Sequence, residues 1–141
     1  MNKLIEQLKR HEGYRQFVYE CSAGYPTIGF GRRLDKGGPG VGVGEAESML
    51  WKDASMARAE LAPHMVFQSL DEIRQDALVN MCFNLGLPGL LKFKKMWAAL
   101  AREDFKSAAV EMLDSRWSDQ VGQRSFELAE QMITGKYMGD E

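Results

Sequence analysis

The sequence predicts an α+β fold: a small N-terminal lobe with a short antiparallel β-hairpin, linked by a helix to a larger all-helical C-terminal lobe. Three observations predict it. Residues 17–30 are rich in aromatic and β-branched side chains and are interrupted by the turn-like Cys21-Ser22-Ala23-Gly24. Residues 36–44 read KGGPGVGVG, a loop composition. From Gly44 onward apolar residues recur at spacings of three and four almost to the end. The 141 residues make one domain, with lobes at 12–60 and at 1–11 plus 61–141.

The elements follow in order. A first helix over Asn2–His11 places Leu4, Ile5 and Leu8 on one face, and Gly13 stops it. Phe17–Tyr19 and Tyr25–Phe30 form the hairpin, with Arg32–Leu34 as a candidate third strand. A second helix, Glu45–Leu61, carries the stripe Leu50, Ala54, Ala57 and Leu61 and joins the lobes. Ser69-x-x-Glu72 has the form of a capping box and predicts the start of a third helix. That helix turns Leu78, Met81, Cys82 and Leu85 inward and ends before Gly86 and Pro88. Further helices are predicted over Leu91–Ala101, Phe105–Ser115 and Gly122–Thr134. The last of these directs Leu128, Ala129, Met132 and Ile133 inward and stops at Gly135.

Composition narrows the function classes. Lys plus Arg is 18 and Asp plus Glu is 20, a formal charge of −2, where a nucleic-acid binder carries a basic excess. The basic cluster Lys92, Lys94 and Lys95 reads as a solvated helix face. Two cysteines, Cys21 and Cys82, cannot build a disulfide framework, and His11 and His64 lack ligand spacing, so no metal site is expected. No apolar run reaches membrane-span length, and the N-terminus lacks a secretory signal. Accumulation in the cytoplasm is therefore expected, with no membrane insertion, and a monomer is the default.

The chemistry-bearing segment is His11–Arg32. Glu12 falls at the C-terminal end of the first helix, where the helix dipole disfavours a carboxylate and favours its protonated form. A carboxylic acid held protonated near neutral pH suits general acid catalysis. The plainer alternative is an exposed glutamate at a fraying helix end. Cys21 and Thr27 flank the predicted turn. The thiol is a nucleophile only if a partner lowers its pKa, and is otherwise a small apolar side chain. Gly24, Gly29 and Gly31 weaken a strand unless a ligand or another backbone approaches closely.

Glu12-Gly13, Cys21 and Gly24-Tyr25-Pro26-Thr27-Ile28-Gly29-Phe30-Gly31-Arg32 together resemble the signature of the bacteriophage lysozymes, the endolysins of glycoside hydrolase family 24. The family pattern is EG, an Asp about eight residues on, then GxxTIGxGH. The resemblance extends through VGEAESMLWKD (43–53), LVNMCFNLG (78–86) and AAVEMLDSRWSDQVGQR (108–124). It implies a lysozyme-like fold and cleavage of the β-1,4 bond between N-acetylmuramic acid and N-acetylglucosamine in peptidoglycan. It implies Glu12 as general acid, and Thr27 with Cys21 holding the attacking water, an inverting arrangement. Substrate-binding positions implied are Gly31, Arg33, Phe83, Asn84 and Arg124, the last placed to pair with the acid. No metal or organic cofactor is implied. A holin or membrane damage would give access to the wall, ending in host lysis.

Two positions depart from the pattern. Cys21 stands where the family has Asp, with Glu20 as a rival for that role, and Arg32 stands where the family often has His. Replacement of the Asp leaves a second reading, a catalytically inactive lysozyme-like module that binds cell wall or serves as a phage structural component.

Overall fold

The structure, a computed structural model, describes residues 1–20, 26–30, 32–33 and 42–140, with 15–20, 26, 32 and 33 described through their backbone. The chain divides into two compact units, Met1–Met56 and Ala57–Glu141.

The first unit begins with α1 (Asn2–Glu12). Leu4, Ile5 and Leu8 are wholly or almost wholly buried, as their spacing predicts, and Gln7 joins them. Lys9, Arg10 and His11 fill the last turn, where positive charge complements the helix dipole. Gly13 ends the helix at φ 67°, a conformation in which a side chain would be strained, and its N–H donates to the Lys9 carbonyl. Among the described residues three antiparallel strands follow in the order β1 (Arg15–Glu20), β2 (Pro26–Gly29) and β3 (Arg32–Arg33). Tyr19 pairs with Thr27 and Glu20 with Pro26; on the other side Thr27 pairs with Arg33 and Ile28 with Arg32. Successive side chains of a strand point to opposite faces. Thr27 and Ile28 are both buried, so the central strand is covered on both faces.

Residues 1–11, expected with the helical lobe, fall in this first unit. Lys9 makes contacts within this unit. Its Nζ lies 3.0 Å from Glu47 on α2 (Val43–Leu61) and 5.9 Å from the Phe30 ring, just beyond β2. The Phe30 ring also meets Tyr14 at 5.7 Å. Helix α2 begins two residues earlier than predicted, and its stripe Leu50, Ala54, Ala57 and Leu61 is buried.

The second unit contains the C-terminal end of α2 and seven further helices among its described residues. These are α3 (Met65–Ser69), α4 (Glu72–Leu85), α5 (Leu87–Leu91), α6 (Lys94–Ala101), α7 (Phe105–Leu113), α8 (Arg116–Val121) and α9 (Gln123–Thr134). Helix α4 is its centre: every residue from Asp76 to Cys82 is buried, as in a helix surrounded by others. Helix α9 packs on α4, α7 and α8, and α6 packs on α7.

Several expectations are corrected. Ser69 does not cap α4. It is the last residue of α3, and its Oγ donates to the Val66 carbonyl. Asp71 is the cap, accepting from the Arg74 N–H. Ser69 is taken up by α3 and Leu70 is extended, so the capping position falls to Asp71, two residues on. The helix predicted over Leu91–Ala101 begins later, at Lys94, as α6; α4 does end before Gly86 and Pro88, and Pro88 lies in the first turn of an additional helix, α5. Helix α8 is additional, started by Ser115, whose hydroxyl accepts from the Ser118 N–H. Ile133 is 42% exposed rather than inward, whereas Leu128, Ala129 and Met132 are buried.

The end of α9 is locked from outside. The Arg74 guanidinium lies 3.7 Å from the centre of the Phe105 ring. It donates to the carbonyls of Met132 at 2.7 Å and Ile133 at 2.9 Å, two of the orphan acceptors of a helix C-terminus. Gly135 then turns left-handed at φ 68°, ψ 24°, and a Cβ there would sit 2.9 Å from Arg74 Nη1. Gly135→Ala is therefore expected to destabilise the protein by about 2 kcal/mol, combining left-handed strain with displacement of Arg74. An unchanged denaturation midpoint would refute this.

Candidate active site

The sequence-predicted site residues fall into two groups, one in each unit. In the first unit Glu12 is the final residue of α1 and is half-buried, and the turn at Gly13 leads from it into β1. Thr27 lies in the central strand with 1% of its surface exposed. Arg33 stands opposite Thr27 in the β2–β3 register, and Glu20 opposite Pro26 in the β1–β2 register. Cys21 and Gly31 lie outside the described residues.

In the second unit Phe83 and Asn84 sit near the C-terminal end of α4, both half-buried. Asn84 Oδ1 accepts from Trp117 Nε1 of α8 at 2.7 Å. Arg124 is in the first turn of α9, and both its Nε (3.1 Å) and Nη2 (3.0 Å) donate to Asn80 Oδ1. The single residue Gly122, at φ 59°, ψ −120°, both ends α8 and begins α9. The Ser118 and Ser125 hydroxyls meet across this corner at 2.8 Å, and Ser125 Oγ donates to the Gly122 carbonyl.

Asn80 and Trp117 are residues that sequence reasoning missed. The available signal was Asn80 and Asn84, four apart on the same stretch as the buried Leu78, Met81 and Cys82. A fully buried amide needs partners, and a spacing of four places both on one helix face.

Other reactive groups are accounted for differently. Burial in α4 pushes the Cys82 thiol up to about 11, with Glu60 acting in the same direction, so it is no nucleophile near neutral pH. His64 is stacked on Trp97 with ring centres 4.1 Å apart. Among the described residues no group of His, Cys, Asp or Glu is arranged to hold a metal ion. Among the described residues no helix is long and apolar enough to cross a membrane. Lys92, Lys94 and Lys95 border a cavity of about 390 Å³ that Glu111 and Asp114 also line, so the lysines share that surface with acids.

The phage lysozyme family model matches residues 9–131. The chain belongs to the phage lysozyme family. Two groups of relatives flank it. The pre-baseplate central spike protein Gp5 of Enterobacteria phage T4 is 30% identical over 94% of this chain, and the chain spans only 28% of that protein's length. Probable T4-type lysozyme 1 of Dictyostelium discoideum is 26% identical, with 96% of each chain covered. An endolysin of Acyrthosiphon pisum secondary endosymbiont phage 1 is 28% identical over 79% of this chain and 74% of its own. For a phage lysozyme family member the implied chemistry is glycoside hydrolysis, and the similarity to lysozymes and an endolysin suggests a muramidase.

Proposed function

We propose that the protein hydrolyses the β-1,4 bond between N-acetylmuramic acid and N-acetylglucosamine in bacterial peptidoglycan, with Glu12 as general acid. In this reading Glu12 protonates the leaving glycosidic oxygen. Thr27, with Cys21 beside the attacking water, directs that water to the anomeric carbon from the opposite face, so the product anomer is inverted. Phe83, Asn84, Gly31, Arg33 and Arg124 contact the glycan. Proton transfer and water attack need no metal or organic cofactor. The protein acts as a monomeric endolysin, made in the host cytoplasm and reaching the wall once a holin or other damage opens the membrane. Host lysis follows from loss of the wall.

The observation that carries this reading is the placement of Glu12. It is the last residue of a helix whose inner face is buried, at a glycine-fixed corner that leads into the sheet containing Thr27. An acid must be positioned before its proton affinity matters, and a helix end anchored by Leu4, Ile5 and Leu8 is a rigid place to hold one. The similarity to a baseplate spike protein favours a second reading, a lysozyme-like module that is part of a phage structure.

The test uses purified peptidoglycan. Reducing sugar ends are expected to accumulate without new free amino groups, and NMR of the first product is expected to show the α-anomer. New amino groups without reducing ends would indicate an amidase and sink the proposal. Neither product from folded protein, across several wall chemotypes, would leave the structural reading.

A further inference from the structure

We infer that Asn80 is a positioning residue for glycan cleavage, acting through Arg124. This rests on the reading above, in which Arg124 contacts the glycan, and it adds what holds that arginine and in which charge state.

Arg124 occupies an unfavourable place for a cation. It lies in the first turn of α9, at the positive end of the helix dipole, and no acidic residue of that turn offsets it. Helix stability therefore does not account for an arginine there. What meets it is Asn80, wholly buried in the central helix, whose single Oδ1 accepts from both Nε and Nη2. Two bonds from one edge of a planar guanidinium to one oxygen fix the plane of the group and hence the direction of its other edge. The backbone around this contact is equally constrained. Asn84, one turn further along α4, holds Trp117 of α8, and the Ser118–Ser125 contact closes the corner from which α9 departs.

The choice of an amide carries the chemistry. Asn80 presents Arg124 with a neutral oxygen. Its Oδ1 orients the guanidinium without cancelling its charge, which suits an arginine required to act electrostatically elsewhere. A carboxylate in the same place would orient it equally well and neutralise it.

That difference provides a test which a merely structural role would fail. Asn80→Asp is isosteric and adds an ion pair, so a structural role predicts unchanged turnover. Positioning by a neutral oxygen, which leaves the charge of Arg124 uncancelled, predicts a folded protein with an undiminished melting temperature. Its kcat on purified peptidoglycan should fall about tenfold while KM stays within about twofold. In an Arg124→Gln background the same substitution should have no further effect on kcat. Should Asn80→Asp not fold, Asn80→Ser in both backgrounds serves instead. A loss of kcat confined to the Arg124 background supports the inference, and equal losses in both overturn it. Wild-type kcat in folded Asn80→Asp overturns this inference alone. Absence of reducing ends from the wild type overturns the catalytic reading together with it.

Discussion

Replacing Asp76 by alanine is expected to lower stability by about 3 kcal/mol. Asp76 is 3% exposed, and its two oxygens serve two partners. Oδ1 receives Arg58 Nη2, and Oδ2 receives the hydroxyl of Tyr137, which is itself buried after the end of α9. Burial, followed by the bond to Asp76, raises the Tyr137 hydroxyl far above its ordinary range, so it remains a donor at any working pH. The alanine variant leaves a mostly buried guanidinium without its counter-charge and a buried hydroxyl without its acceptor. Arg58 has no reserve, because its Nε is already buried without a hydrogen-bond partner in the structure. Tyr137→Phe removes one bond and leaves the ion pair intact, so it should cost only about 1 kcal/mol. Urea melts of the two variants check the ordering. A loss below about 1 kcal/mol for Asp76→Ala would mean that water replaces the aspartate and that the cluster is not a tie.

The second large effect is on activity. Glu12→Gln is expected to reduce release of reducing ends by a factor of about 10² to 10⁴, the range attached to a positioned general acid. Glutamine keeps the size and most of the hydrogen-bonding capacity of the side chain but cannot deliver a proton. Glu12 lies at a helix end and is only half-buried, so the melting temperature should remain within a few degrees of the wild type. That combination separates chemistry from folding. Retention of full activity by the glutamine variant would remove Glu12 from the proposed mechanism and require another acid.

Periodic burial was the most legible part of the sequence. Leu4, Ile5 and Leu8, the α2 stripe from Leu50 to Leu61, and Leu128, Ala129 and Met132 all face inward as their spacing requires. Periodicity fails where elements are short. Helices α3, α5 and α8 span five or six residues each, too few to repeat an apolar face twice. Their boundaries are set by single residues such as Ser115, Gly86 and the extended Leu70. Ser69 shows the limit of motif reading. Its spacing to Glu72 satisfies a capping pattern, while the chain direction at Leu70 hands the role to Asp71. Ile133 lies in phase with the buried stripe yet remains 42% exposed, since its position on α9 is decided by the helices packed against it.

The candidate site divides along similar lines. Glu12 and Thr27 stand out in the sequence because a motif sets them beside glycines, and the structure puts Glu12 at the end of α1 and Thr27 in β2. Asn80 does not, because a buried amide looks in sequence like any polar residue that interrupts an apolar run. Its significance appears only once Arg124, forty-four positions later, is seen donating to it.

The corner at Gly122 has a consequence for insertions and deletions. With a single residue between α8 and α9, no slack exists to absorb a change in chain length. One residue added at the start of α9 would advance the helix by about 100° around its axis. Arg124 would swing off Asn80 as Leu128, Ala129 and Met132 left the core together. Length variation among descendants of this chain should therefore be excluded from residues 118–125, however freely side chains elsewhere on the surface are exchanged.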